Sequence, residues 1–67
     1  MIAEIDIWRT AWLMVEHHGE SAEFVTATRS DELLDCGDLD GAATWRRISN
    51  AVAELRRTER GAGEAVN

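Results

Sequence analysis

The segment from Gly37 to Arg57 constrains the fold most, because it carries the clearest amphipathic helix pattern in the chain. When each residue is advanced by about 100° around a helix axis, the apolar side chains fall within an arc of roughly 120°. The members of this stripe are Trp45, Ile48, Ala51, Val52 and Leu55. The opposite side carries five polar residues: Arg46, Arg47, Asn50, Glu54 and Arg57. A helix with one apolar stripe needs a second surface to bury it, so the rest of the chain must supply that surface.

Residues 2–18 predict a first helix whose apolar stripe matches that of the last helix in length and period. The eight residues of the two stripes are expected to form the structural core: Ile5, Trp8, Trp12, Val15, Trp45, Ile48, Val52 and Leu55. Truncating Trp12 or Trp45 to alanine is then expected to cost about 3–5 kcal/mol. Further apolar residues widen the stripe of the first helix to roughly 200°, so this helix should contact at least two neighbours.

Glycines mark both ends of a predicted second helix at residues 20–36. Gly19 is expected just past the end of the first helix, and Gly37 just past the end of the second. Asp38 is expected to cap a third helix at residues 39–58, because its side chain can accept the unpaired amides of the first turn.

Three helices joined by very short turns predict an antiparallel three-helix bundle, with residues 1–58 as a single helical domain. Residues 59–67 contain two glycines and no periodicity. We therefore expect a frayed, flexible C-terminal tail.

A chain of 67 residues has room for one domain with a modest core. The lone cysteine, Cys36, cannot form an intrachain disulfide and fits a reducing compartment. The N-terminal residues carry acids where a secretory signal needs positive charge and an apolar run, so we expect a cytoplasmic protein. The longest apolar run, residues 12–15, falls far short of the ~20 residues that span a bilayer, so no membrane segment is expected.

The formal net charge is −6, and its distribution is uneven. Residues 1–40 hold ten acids against two arginines, whereas residues 41–67 hold five arginines against three acids. An acidic chain repels phosphate backbones, so this composition disfavours nucleic-acid binding. The five arginines of residues 41–67 form a basic stretch. We expect this basic stretch to pair with the acids of residues 31–40, within one chain or across a dimer.

Two apolar residues fall outside the predicted core. Leu13 lies beside Arg9 and Asp6 in a helical projection and is either a partly covered surface leucine or an exposed apolar spot. Phe24 points away from the small residues of the second helix and is either folded back on a helix end or exposed for a partner. Leu13 and Phe24 are therefore candidate partner-binding residues.

Asp31, Glu32 and Asp35 lie near the C-terminal end of the second helix, where negative charge opposes the helix dipole. Asp31 and Asp35 are also like charges at four-residue spacing, and each effect costs roughly 0.2–0.5 kcal/mol. This cost hints at a use such as docking a basic partner. With Asp38, these residues define an acidic patch and are candidate partner-binding residues. The preferred interpretation of Asp31, Glu32 and Asp35 is a solvated face bridged by Arg29 or by an arginine of the third helix.

Two histidines and an acid also cluster at the connection between the first and second predicted helices. His17, His18 and Glu20 could offer metal ligands, since imidazole suits zinc, copper and nickel. Their spacing is poor, because adjacent histidines on a helix point about 100° apart, and no HExxH motif is present.

Four short motifs of turn and core residues are spread over most of the chain, and each occurs once. They are DIWRTAW from residue 6, HGE at 18–20, DELL at 31–34 followed by CGD, and W-RI at 45–48. With these motifs, residues 6–56 resemble a family of small bacterial proteins defined only as a domain of unknown function. The resemblance implies a helical fold and adds no activity.

The sequence predicts no catalytic residue and no cofactor, because its serines lack a His/Asp relay and its cysteine has no histidine nearby. We expect a small non-catalytic helical interaction module with a protein partner. It would be an accessory subunit or inhibitor of a larger protein, or a homodimer in which a second copy covers the first helix. The alternative is a metal- or ligand-responsive regulatory protein that uses His17, His18 and Glu20.

Overall fold

The computed structural model describes residues 3–65, with side chains for residues 3–58. The elements are helix α1 (Glu4–His18), a 3-10 turn (Gly19–Ser21), helix α2 (Ala22–Asp35) and helix α3 (Leu39–Ala65). The predicted all-helical class is confirmed. Among the helices in this described part, none is both long enough and apolar enough to cross a membrane.

The helical residues form two uninterrupted runs, where the sequence predicts three separate helices. Residues 4–35 form one run of helical turns without a gap, because the 3-10 turn follows α1 directly and leads into α2, and α3 forms the second run. The α3 backbone is helical through residues 59–65, past the predicted end at residue 58. The last two residues of the predicted tail lie outside the described residues, and its flexibility stays a prediction.

Gly19 ends α1 at the predicted place. Its φ of +53° is a value that residues with a side chain rarely adopt, and its N–H donates to the Val15 carbonyl. The next three residues make one 3-10 turn before α2 begins at Ala22. A single glycine and one short turn therefore redirect the chain.

Gly37 forms the corner between α2 and α3, with a φ of +84°. Its N–H donates to the Leu34 carbonyl at 3.0 Å, and the N–H of Asp38 donates to the Leu33 carbonyl at 2.9 Å. These two bonds make a Schellman motif, which satisfies the last carbonyls of α2.

Asp38 caps α3 as predicted. Its Oδ1 accepts the backbone N–H of Gly41 at 3.0 Å, and its carbonyl accepts the N–H of Ala42 at 2.9 Å. A Cβ added at Gly41 would collide with the Asp38 carboxylate. A side chain at position 41 would therefore require the Asp38 carboxylate to shift.

Helix α3 supports the other two helices, which contact α3 far more than they contact each other. α1 runs in the same direction as α3, since Glu4 pairs with Arg47 at one end and Val15 and Leu55 line one groove at the other. α2 runs in the opposite direction, since it ends at the corner from which α3 begins and its Ser30 contacts Ala42 in the first turn of α3.

The buried core is made of small and medium-sized side chains. Its members are Ile7, Ala11, Ala22, Ile48, Ala51 and Val52. Two hydroxyls of α2 are buried with hydrogen bonds: Thr26 donates to the Ala22 carbonyl at 2.9 Å, and Ser30 donates to the Ala42 carbonyl of α3 at 2.8 Å. The bond from Ser30 ties α2 to α3, and the small core residues let the helices approach closely.

Three residues of the predicted core lie on the surface instead. Ile5 is 64% exposed, Trp8 is 40% exposed and Trp12 is 54% exposed. The buried side of α1 is centred on Ile7 and Ala11. The small Ala11 side chain brings α1 close to its neighbours, whereas tryptophans at this contact would hold the helices further apart.

The other five predicted core residues are buried to different extents. Ile48 and Val52 are buried, as predicted. Val15, Trp45 and Leu55 are half-buried and pack against the core. The predicted apolar stripe of α3 is therefore confirmed as its buried side. On α1 the buried side lies at one edge of the predicted stripe.

Candidate functional site

Three large apolar residues are exposed on one side of α1. Ile5, Trp8 and Trp12 recur at intervals of three and four residues, so they lie on one side of the helix. We call these three residues the aromatic strip. Tryptophan gives a large contact area with few rotatable bonds, so this strip is the strongest candidate for a binding surface.

The indole of Trp8 is held in place by polar partners. Its Nε1–H donates to Oε2 of Glu4 at 3.3 Å. The other oxygen of that carboxylate, Oε1, accepts a hydrogen bond from Nη2 of Arg47 at 2.7 Å. The pair of Glu4 and Arg47 also joins α1 to α3, so the position of Trp8 is tied to the helix packing.

Two grooves lie between α1 and α3 beside the aromatic strip. The first has a volume of about 230 Å³ and is lined by Glu4, Ile7, Trp8, Arg47, Asn50, Ala51 and Glu54. The second lies near the C-terminal end of α1 and is lined by Trp12, Val15, Glu16, Gly19, Leu55, Arg56 and Thr58. Each groove thus has a tryptophan on one wall, and a cavity of the first one's size suits a single large side chain.

Leu13 and Phe24 are both exposed, at 45% and 74%. By the 100° count, Leu13 lies about 80° around α1 from Ile5, beside the aromatic strip. Phe24 lies on the outer side of α2. Of the two readings left open for Phe24, the structure favours exposure over folding back on a helix end.

The acidic patch is exposed at all four of its residues. Within the side chains that the structure describes, none of these acids forms an ion pair. Arg29 instead lies over the Trp45 ring, with its Cζ 5.5 Å from the ring centroid. The predicted bridge by Arg29 is therefore wrong, because the guanidinium packs on an aromatic ring of α3.

The arginines of α3 pair with other acids than predicted. Arg47 binds Glu4 of α1, and Arg57 binds Glu54 one turn away on α3. The hydrogen bond from Arg57 to Glu54, together with the charge of Glu54, raises the pKa of Arg57 above its ordinary value. The expected pairing within one chain between the basic stretch and residues 31–40 does not occur among the described side chains. Pairing across a dimer stays a prediction.

The candidate metal ligands His17, His18 and Glu20 are exposed at the end of α1 and in the 3-10 turn. Over residues 3–58, no group of three or more histidine, cysteine, aspartate or glutamate side chains is placed to hold a metal ion. The three residues are therefore close in sequence without forming a ligand set.

Sequence reasoning missed Ile5, Trp8 and Trp12 as surface residues. The signal that could have found them is a second stripe on the same helix, formed by Ile7, Ala11 and Met14, which has the same helical spacing. Ala11 in particular marks the side where a neighbouring helix can approach.

The chain belongs to a family of unknown function (DUF6961), which matches residues 3–60. This match confirms the family resemblance. No curated protein and no solved structure matches the chain.

Proposed function

We propose that this family member is a small non-catalytic interaction module that binds a protein partner, either as an accessory subunit or inhibitor of a larger protein or as a homodimer. In this proposal, α1 and α2 form a three-helix bundle with α3, and the bundle presents the aromatic strip. The observation that carries the proposal is the exposure of Trp8 and Trp12, at 40% and 54%, on the same side of α1.

Exposed tryptophans in a row are costly in water and valuable in an interface. Scattered surface apolar residues are ordinary, but contiguous apolar patches rimmed by polar residues mark interaction sites. The aromatic strip is continuous, and Glu4, Arg47 and Glu16 rim it. Tryptophan is also enriched among the residues that dominate binding energy.

Leu13 and Phe24 are proposed to extend the contact area, and the acidic patch is proposed to set orientation and encounter rate. Charges at the rim of an interface change association rate more than affinity. The acidic patch suits this role because its carboxylates are exposed and its Asp31, Glu32 and Asp35 face solvent without an arginine partner among the described side chains.

The non-catalytic part of the proposal is supported by where the reactive side chains lie. Cys36 follows the C-terminal end of α2, while His17 and His18 precede its N-terminal end. A helix of 14 residues is about 21 Å long, so the thiol and the imidazoles lie too far apart for proton transfer. Ser30 uses its hydroxyl in the hydrogen bond to Ala42. The exposed free thiol of Cys36 also supports a cytoplasmic location as part of the proposal.

Photo-cross-linking in the native host tests the proposal. A photoreactive amino acid at position 12 is expected to give a discrete adduct, because the strip lies in the interface. The same amino acid at Leu39, which is 66% exposed at the start of α3, is the matched control and is expected to give none.

The adduct from position 12 should disappear when Trp8 is replaced by glutamine. Absence of any adduct at position 12, or equal adducts at positions 12 and 39, would contradict the proposal. The mass of the adduct identifies its composition: twice the chain for a self-complex, or any other mass for a different protein.

A further inference from the structure

The face that carries the aromatic strip is acidic on its α1 side and mostly basic on its α3 side. Glu4 and Glu16 line the grooves from α1, and Arg47, Glu54 and Arg56 line them from α3. The charges are also level along the helices, because Glu4 and Arg47 line the first groove while Glu16 and Arg56 line the second. All lining residues of the two grooves come from α1, the 3-10 turn and α3.

Most charges of this face are already paired within one chain. Glu4 binds Arg47, Glu54 binds Arg57, and Asp6 lies 3.7 Å from Arg9. Glu16 and Arg56 form no ion pair among the described side chains, which leaves them to pair across an interface. The net negative charge is concentrated elsewhere, since residues 20–40 hold seven acids and one arginine. Two molecules can therefore meet at this face without bringing their most acidic segments together. In such a self-complex Phe24 and the acidic patch lie outside the contact, and the patch acts by repelling other orientations.

We propose that the aromatic strip binds a second copy of this chain, related by a two-fold axis that runs parallel to α1 and α3. This inference rests on the proposed function and names the partner of the same surface. In this arrangement α1 of one copy lies over α3 of the other, and the contact is repeated by symmetry.

The charge pattern selects this arrangement. A two-fold axis parallel to the helices leaves every residue at its own height, so Glu16 of one copy comes over Arg56 of the second copy, and the reverse contact forms as well. An antiparallel pair of α1 helices would instead place α1 acids of the two copies against each other. The parallel arrangement instead forms the contact between Glu16 and Arg56 twice, once on each side of the two-fold axis.

The aromatic strip supplies a substantial part of the area that a dimer interface needs. A tryptophan side chain covers about 150–250 Å², so Ile5, Trp8 and Trp12 together expose on the order of 300 Å² at their observed exposures. Stable complexes bury about 600–1,000 Å² on each partner, so the strip accounts for roughly a third to a half of such a contact. A dimer built on the strip must also bury neighbouring surface of α1 and α3.

A charge-swap experiment tests this arrangement with two single variants, Glu16→Arg and Arg56→Glu. Each variant alone sets like charges against each other at both symmetric contacts, and each is expected to be monomeric by light scattering. When the two variants are mixed, both contacts pair opposite charges. The mixture is expected to recover the dimer mass as a heterodimer, and wild type is a dimer throughout.

If Glu16 and Arg56 act only within one chain, mixing has no effect on mass, and that result overturns the arrangement. Wild type that stays monomeric at every concentration also overturns it, while an adduct of different mass in the cross-linking experiment would leave the proposed function standing. Circular dichroism checks that both variants are folded. If Arg56→Glu is unfolded, Trp12→Glu replaces it: loss of the dimer supports the inference, and a retained dimer overturns it.

Discussion

Trp8 donates its indole N–H to Glu4 across one turn of α1, at 3.3 Å, and so holds its ring at the edge of the first groove. The same carboxylate accepts a hydrogen bond from Arg47 on α3. The polar atom of the tryptophan is thereby satisfied by its own chain, and its apolar ring stays exposed. This combination is what a preformed binding residue needs, because little order has to be gained on binding.

The exposure of Trp12 revises the expected cost of its removal. Because the side chain is 54% exposed, Trp12→Gln should lower the free energy of unfolding by only about 1–2 kcal/mol. Ile48, which is 2% exposed, serves as the buried comparison, and Ile48→Ala should cost about 2–5 kcal/mol. Urea unfolding under conditions that keep both proteins monomeric gives the two values. Equal costs for the two substitutions would place Trp12 in the core after all.

Gly41 and Asp38 should be coupled in a double-mutant cycle. Asp38→Ala removes the cap of α3 and should cost about 1 kcal/mol. Gly41→Ala should gain up to about 1 kcal/mol of helix propensity in the Asp38→Ala background. In wild type the added methyl collides with the Asp38 carboxylate, so this gain should be lost. Thermal melts of the four proteins measure the coupling, and additive effects would contradict it.

Removing charge from the acidic patch should not weaken the fold. Asp31→Asn and Asp35→Asn should each raise the free energy of unfolding by roughly 0.2–0.5 kcal/mol at low salt, because each relieves like-charge repulsion and an unfavourable helix-dipole interaction. The matched control is Glu23→Gln in the first turn of α2, where negative charge is favourable, so stability should fall slightly. A sharp loss of stability in the aspartate variants would show that these acids are structural.

Metal ions should leave the protein unchanged. His17, His18 and Glu20 are exposed and do not form a ligand set, so zinc, nickel and EDTA should each leave the melting temperature where it is. A ligand that binds only the folded state would raise it by mass action. A rise with zinc that disappears in a His17→Ala variant would revive the metal-responsive alternative.

The parts of the fold that sequence predicts well are set by local chemistry. Gly19 and Gly37 end helices because glycine tolerates positive φ, and Asp38 caps α3 because its carboxylate reaches the free amides of the next turn. The stripe of α3 was also predictable, since its apolar arc is narrow and leaves a single side to bury.

The parts that sequence predicts poorly depend on the choice between neighbours. α1 is apolar over roughly 200°, so either edge of its stripe could face α3. The edge that carries the small Ala11 is the buried one, because it lets the helices approach closely. The partner of Arg29 could not be predicted from sequence either, because this arginine could pack on an aromatic ring as well as pair with an acid. Helical periodicity alone therefore identified the tryptophans as important without showing that two of them lie on the surface.

The most direct test is the solution mass of wild type and of the Trp8→Gln/Trp12→Gln variant, measured by light scattering from micromolar to millimolar concentration. Wild type should reach twice the mass of the chain, and the variant should stay at the mass of one chain with unchanged helix content. A wild type that stays at the mass of one chain, or a dimer that persists in the variant, would contradict a self-interface built on the aromatic strip.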